Sequence, residues 1–392
     1  MVLNNTKHNE IDISFKNLPK YFKYFTSSLD HNINTEIFNN PLYNTSQLKR
    51  LENFNLVKAF DWSKPWPRPT KLDTMYTPAI IVSEGAVVNR DGRLWGDQNI
   101  KTFNTNNKRT KMYENFFKTK DKISDWAMAT STGITGISLR SDTKQHHDIF
   151  YVSNKTNDDP SNFESITNFI DIAPYSDIEI TEVFQADASL KFYKNVYIVR
   201  EGAKLFVTRI VKGDSHTQSH QFISSEVIQH PMSHVEIDTN KSYASNKYCH
   251  QDFHVECMQQ TYTDIECKNY VDEHNSEDVI INIHHKGSDS FSRVNARSVV
   301  NDHGCFNFIG NIKVDKQAQH VDSDLVNKNL QLTNHAKVIT QPRLDIATKE
   351  IKCSHGCTVS TVDADAMYLL NSRGISPDDA KELIISAFLG EI

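Results

Sequence analysis

Val279-Ile280-Ile281-Asn282-Ile283, Cys305-Phe306-Asn307-Phe308-Ile309, Ile312-Lys313-Val314, Leu330-Gln331-Leu332, Lys337-Val338-Ile339, Leu344-Asp345-Ile346 and then Ile351 to Ser360 follow one another with polar turns between them. Short runs rich in β-branched residues, bounded by turn-forming residues, read as strands, and almost no helical periodicity interrupts them. Between the apolar anchors Ile281, Phe306, Leu330 and Ile351 the steps are 25, 24 and 21 positions. That is close to the period of a coil carrying a few short strands. The same grammar starts after about Ile149 and includes Ile178 to Val183, Val196 to Val199, Lys204 to Val211 and Val227 to Ile237. The spacing predicts a mainly β protein built as a β-solenoid. A Greek-key sandwich is the alternative that evenly spaced strands also fit.

The last of these runs contains Cys353-Ser354-His355-Gly356-Cys357. Side chains at i, i+2 and i+4 of a strand share a face, so Cys353, His355 and Cys357 project together. Sulfur beside imidazole is ligand chemistry for zinc, copper or an iron–sulfur centre. Three residues do not close a site, and a small buried cysteine is also an ordinary core residue. A bulge at Gly356 would turn Cys357 away from the other two.

The chain has 392 residues, enough for two or three domains or for one elongated repetitive one. A formal charge of −6 gives no bulk electrostatic reason to bind nucleic acid or an anionic membrane. The six cysteines stand at 249, 257, 267, 305, 353 and 357, unlike the dense framework of a small secreted protein, so reduced thiols are expected. Met1 to Phe15 is polar and carries Glu10 and Asp12, which is not a secretory signal. No run approaches 18 apolar residues. These features predict a cytoplasmic protein without a membrane span.

Three regions follow from the pattern: residues 1–141 mixed and helical, 142–361 a β-solenoid core, and 362–392 a helical hairpin. In the first, helices are expected at Ile13 to Ser28, Thr45 to Phe60 and Lys111 to Trp126, with a boundary at Pro65-Trp66-Pro67-Arg68-Pro69 and short strands at Ala79 to Val82 and Ala86 to Val88. In the last, Ser376-Pro377-Asp378-Asp379 supplies an N-cap serine, proline at the first helical position and acids in the first turn. Ala380, Leu383, Ile384, Ala387 and Phe388 then form a helical stripe, with Ile385 and Leu389 apolar beside it. A preceding helix at about Asp363 to Ser372 ends before Gly374. The hairpin is expected to cap the solenoid, or also to dock a partner.

Other constellations read as ordinary structure. In Cys249 to Cys257, alternation puts His250, His254 and Glu256 on one face and both cysteines on the other, which predicts exposed histidines and packed thiols. His284 with His285, and His216 with His220, read as solvated turn residues. Arg293 with Arg297, or Asp322 with Asp324, would have to be forced into the groove of a carbohydrate-active solenoid enzyme. No phosphate-binding loop, dinucleotide fingerprint or nucleophile elbow is present, so the chain should bind no nucleotide directly.

Ala318-Gln319, Asn327 to Leu332, Ala336 to Ile346, Ile351 to Gly356 and Met367 to Ile375, with Ala380 and Ala387-Phe388 beyond, resemble in order and spacing the SufB/SufD family of iron–sulfur cluster assembly proteins. The SufB branch typically has Cys-x-His-Glu-Ala where this chain has Cys353 to Cys357, so Gly356 points to the SufD-like branch. The resemblance implies a right-handed parallel β-helix flanked by N-terminal and C-terminal helical regions. It implies a non-catalytic scaffold in a SufBCD-like complex, paired with a SufB-like paralogue and carrying a SufC-like ATPase on its C-terminal helices, where Met367, Tyr368, Arg373, Leu383, Ala387 and Phe388 would serve. His355, with Cys353 or Cys357 in support, would hold iron or a nascent cluster at the subunit interface. Nothing in the resemblance decides whether a flavin binds. Cys357 departs from the alanine usual there. A SufB-like homodimer is the second reading, and a carbohydrate-active solenoid the third.

Overall fold

The computed structural model describes residues 80–83, 86–88, 100–104, 134–151, 163–185, 190–212, 220–241 and 247–390. The helices expected at 13–28, 45–60 and 111–126 lie outside them. Two sheets face each other. The ten-stranded sheet runs Ile351–Thr361, Val321–Gln331, Phe291–Val300, Tyr262–Val271, His234–Lys241, Lys204–Lys212, Asp177–Gln185, Gln145–Tyr151, Ile80–Ser83, Ala86–Val88. The nine-stranded sheet runs Lys337–Ile346, Cys305–Val314, Ser276–His285, Tyr248–Cys257, His220–Gln229, Leu190–Val199, Phe163–Ile172, Ile134–Leu139, Ile100–Asn104. From Ile134–Leu139 onward successive strands alternate between the sheets, and the pairing is parallel except at Ala86–Val88 and Ile100–Asn104. This is a parallel β-solenoid, and the sandwich alternative, which needs antiparallel neighbours, is excluded.

The true repeat is longer than the apolar anchors suggest. Tyr262 pairs with Phe291, Phe291 with Asp322 and Asp322 with Lys352, steps of 29, 31 and 30 residues. The anchors mislead because they change sheets: Ile281 and Phe306 belong to the nine-stranded sheet, Leu330 and Ile351 to the ten-stranded one. Each coil therefore carries two long strands. Val227 to Ile237 is broken by a turn at Met232, whose φ is 61°, while the pieces expected at 305–314 and 337–346 join into single strands. Pro342 is tolerated inside Lys337–Ile346 because that strand is the last of its sheet.

One corner repeats along the solenoid. Tyr175, Gly202, Met232, Gln260, Asp289 and His320 all adopt left-handed backbone, with φ from 54° to 65°. Each donates its N–H one coil onward, to the carbonyls of Glu201, Pro231, Gln259, Ser288, Gln319 and Glu350. This backbone ladder satisfies donors that a sharp corner would otherwise strand.

Inward positions alternate with outward ones and are mostly aliphatic or aromatic, from Ile137 through Ile223, Ile265 and Val294 to Leu325. A polar block interrupts them. The fully buried Arg209 donates through Nε (3.1 Å) and Nη2 (3.0 Å) to Glu182 Oε2, and through Nη2 to Ser225 Oγ at 2.9 Å. Glu182 Oε1 also accepts from Tyr151, Asn195 and Tyr197. The guanidinium lies 5.3 and 5.0 Å from the ring centroids of Phe184 and Phe253. Burial opposes its charge, but Glu182 outweighs burial and keeps Arg209 protonated.

Candidate functional site

Both sheets end in edge strands, Ile351–Thr361 and Lys337–Ile346, with no further coil stacked beyond them among the described residues. The register from Val321↔Ile351 to Gln331↔Thr361 is unbroken, so the strand does not bulge at Gly356. Cys353, His355 and Cys357 consequently lie over Ser323, Leu325 and Asn327, all buried inward residues of the preceding coil. The three share the inner face at the open end of the solenoid. Ser354, on the outer face, donates to Asp324 Oδ1. A Cβ added to Gly356 would meet nothing within 4 Å, so packing does not demand glycine there.

Shared facing is not convergence. A strand rises about 3.3 Å per residue, so Cys353 and Cys357 stand about 13 Å apart along it. Zn–S bonds are about 2.3 Å, and two thiolates so far apart cannot bind one ion. Among the described residues no three His, Cys, Asp or Glu side chains are placed to hold a metal ion. Each thiol is also differently engaged. Cys353 is half-buried against the core, and burial raises its pKa. Cys357 Sγ lies 2.9 Å from Thr340 Oγ1, on the last strand of the opposite sheet, and donates to Asn327 Oδ1 at 3.6 Å. His355 is exposed. Thr340 and Asn327 are site residues that sequence reasoning missed, because their approach depends on the coil register.

Two helices follow. Ala364–Ser372 is capped by Asp363, whose carboxylate accepts from the N–H of Asp365 (2.9 Å) and Ala366 (3.4 Å). Pro377–Leu389 starts at the expected N-cap, Ser376, and ends at Gly390 in left-handed backbone. Its buried residues are Ala380, Ile385 and Leu389; of these Ile385 and Leu389, with the partly covered Ile384 and Phe388, pack with Val299 and Leu330. Arg297 Nη1 donates to the carbonyl of Phe388 at 3.0 Å and fixes the helix end. The buried stripe is thus turned from the expected one, leaving Leu383 and Ala387 exposed. Tyr368 is 76% exposed, Leu369 49% and Leu383 42%; Arg373 is also exposed and Met367 partly so.

The other candidates are structural. Cys249 and Cys257 are buried as expected, and burial pushes their thiols up to about 12 and about 11. The exposed-histidine expectation fails for His250, which is 1% exposed and paired with Asp252 (3.3 Å) and Asp278 (3.8 Å). It also fails at the next pair: His284 bonds Asp315 at 2.8 Å, and His285 is buried against Ser290 and Ser292. His220 is buried, and His216 lies outside the described residues. Arg293 pairs with Asp264. No helix among the described residues is long and apolar enough to cross a membrane.

The described residues define a parallel β-solenoid protein whose last coil bears thiols and an imidazole and is followed by helices with apolar side chains in solvent. Residues 152–388 match the SUF system FeS cluster assembly, SufBD core domain, and the chain belongs to that family, on its SufD-like side. It is 38% identical over 96 residues to an iron–sulfur cluster assembly SufBD family protein of Synechocystis (24% of this chain, 21% of that protein). It is 39% identical over 109 residues to the iron–sulfur cluster assembly protein SufD of Escherichia coli (28% and 26%). A chloroplastic protein of Arabidopsis thaliana, ABCI7, is 33% identical over 85 residues (22% and 18%). The aligned stretches span about a fifth to a quarter of these relatives' lengths.

Proposed function

We propose that this chain is a non-catalytic scaffold subunit of a cytoplasmic SufBCD-like complex, holding a nascent iron–sulfur cluster, its cargo, between its last coil and a SufB-like paralogue. The carrying observation is that Cys353, His355 and Cys357 line the inner face of an edge strand whose outer neighbour position is vacant among the described residues. Unpaired edges template strand addition by another chain. Ligands from the second chain would complete what three side chains on one strand cannot. Alternate residues on the strand lie about 6.6 Å apart, a span suited to separate corners of a polynuclear cluster rather than to one ion. Within this reading His355 is the ligand, Cys353 its support, and a SufC-like ATPase docks on the terminal helices around Tyr368 and Leu383. Replacing His355 with alanine should lower cluster formation in the reconstituted complex, followed by absorbance; unchanged yield removes His355 from the mechanism.

A further inference from the structure

We infer that the corner of the solenoid opposite the left-handed ladder continues across the subunit junction: the strand that a SufB-like paralogue adds to Lys337–Ile346 sets a backbone N–H on the carbonyl of Ala336 and lays a planar side chain flat on His335. The inference rests on the assembly reading above and specifies where the two chains meet. His274, His303 and His335 each stand two residues before a strand of the nine-stranded sheet, and those strands start in register at Ser276, Cys305 and Lys337. Their rings stack with centroids 4.8 Å apart at each step and interplanar angles of 15° and 22°. Neighbouring strands lie about 4.8 Å apart, so each coil adds one ring to the pile. All three are exposed. His335 is the last ring: one face lies on His303, and among the described residues no ring lies on the other.

The backbone of the three turns repeats in the same way. Asn275, Gly304 and Ala336 each donate N–H to the carbonyl three residues back, those of Asp272, Asn301 and Thr333. In the two inner turns the carbonyl of that same residue accepts from the coil onward: Asn275 from the Cys305 N–H at 3.0 Å, Gly304 from the Lys337 N–H at 2.8 Å. Ala336 stands next in this series, and its carbonyl takes the side-chain amide of Gln331 at 2.8 Å. A carbonyl oxygen has two lone pairs, so it can accept a further N–H. Ring pile and carbonyl series thus both stop at one turn. The strand that starts there, Lys337–Ile346, is the edge of its sheet, and an added strand extends both. An imidazole face takes an offset-stacked aromatic ring or a guanidinium plane, which gives the chemistry of the incoming side chain.

Calorimetric titration of the whole chain with the paralogue tests this. His335→Ala removes the ring and should weaken binding by at least about fivefold, the loss of a stacked pair. His335→Phe restores a flat face and should stay within about twofold of wild type. His274→Ala takes a ring from the same pile two coils away from the junction; like His335→Ala it costs the chain one internal stack, and it should leave binding unchanged. Wild-type binding by His335→Ala, failure of His335→Phe to rescue, or an equal loss in His274→Ala would each overturn the corner assignment and leave the assembly reading in place. Absence of binding by the wild-type chain would overturn both. Self-association of the chain alone, abolished in His335→Ala, would give the junction to a second copy and overturn the paralogue as its occupant.

Discussion

The Sγ of Cys357 stands 2.9 Å from the Oγ1 of Thr340, so the last strands of the two sheets are tied across the solenoid interior at its open end. Asn327, one coil below, accepts the thiol hydrogen at 3.6 Å and is itself fixed by Asn329. Cys357 is thereby a structural residue as well as a ligand candidate. Cys357→Ser retains the bonding pattern and should leave stability within about 0.5 kcal/mol, whereas Cys357→Ala should cost about 1 kcal/mol. Chemical denaturation resolves the two, and equal stabilities would show that the cross-sheet tie contributes nothing.

The Arg209–Glu182 pair makes a larger claim. Both side chains are fully buried, so removing one partner leaves an uncompensated charge in the interior. Arg209→Ala should lower unfolding free energy by about 3–5 kcal/mol, and Glu182→Gln combined with Arg209→Met should cost clearly less. Urea unfolding of the three proteins tests this, and a double variant as unstable as Arg209→Ala would contradict it.

Two buried histidines pull the pH dependence in opposite directions. Burial disfavours the His250 cation, but Asp252 and Asp278 outweigh burial and lift its pKa from 6.5 to about 9. Its contribution is fully present below pH 6.5 and is lost as pH rises through about 9. His285 is lowered to about 4 by burial, with His284 adding to the effect, so its contribution is present above pH 6.5 and lost as pH falls toward 4. Stability should therefore peak near pH 6.5. Each group adds a limiting slope of about 1.4 kcal/mol per pH unit within its own window. His250→Gln should flatten the alkaline limb alone, and His285→Gln the acid limb alone, in unfolding free energies measured from pH 4 to 9.

Strand content, solenoid architecture and the N-cap of the last helix were legible because they rest on local signals, β-branched runs and Ser376 before Pro377, whereas Asp363, read as the first residue of its helix, turns out to be its cap. The coil length was not. Apolar residues are buried on both sheets and on both faces, so Phe306 and Leu330 look like successive repeats although Phe306 lies in the inner core of one sheet and Leu330 lies under the last helix, on the outer face of the other. The corner ladder was hidden for another reason. Left-handed backbone usually advertises itself by glycine, but Gly202 is the sole glycine among its six residues, and stacking of coils holds Tyr175, Met232 and Gln260 in that conformation. At the site, alternation correctly placed Cys353, His355 and Cys357 on one face. Which of them touches Thr340 depended on register between coils, and no periodicity in a single strand contains that.

The exposed apolar side chains near the C-terminus form two groups, and this makes the two partner contacts separable. Ile346 (37% exposed) and Val359 (49%) lie on the two edge strands, while Tyr368, Leu369 and Leu383 lie on the helices. None of these five needs water exclusion for the chain's own fold, so a charge at each should change unfolding free energy by no more than about 0.5 kcal/mol. Val359→Glu places a carboxylate in the path of an added strand and should abolish association with a SufB-like paralogue, while leaving a SufC-like ATPase bound. Leu383→Glu should do the reverse. Analytical ultracentrifugation of each variant with each partner separates the cases. If Val359→Glu released both partners together, or neither, the edge strands and the helices would not be independent docking surfaces.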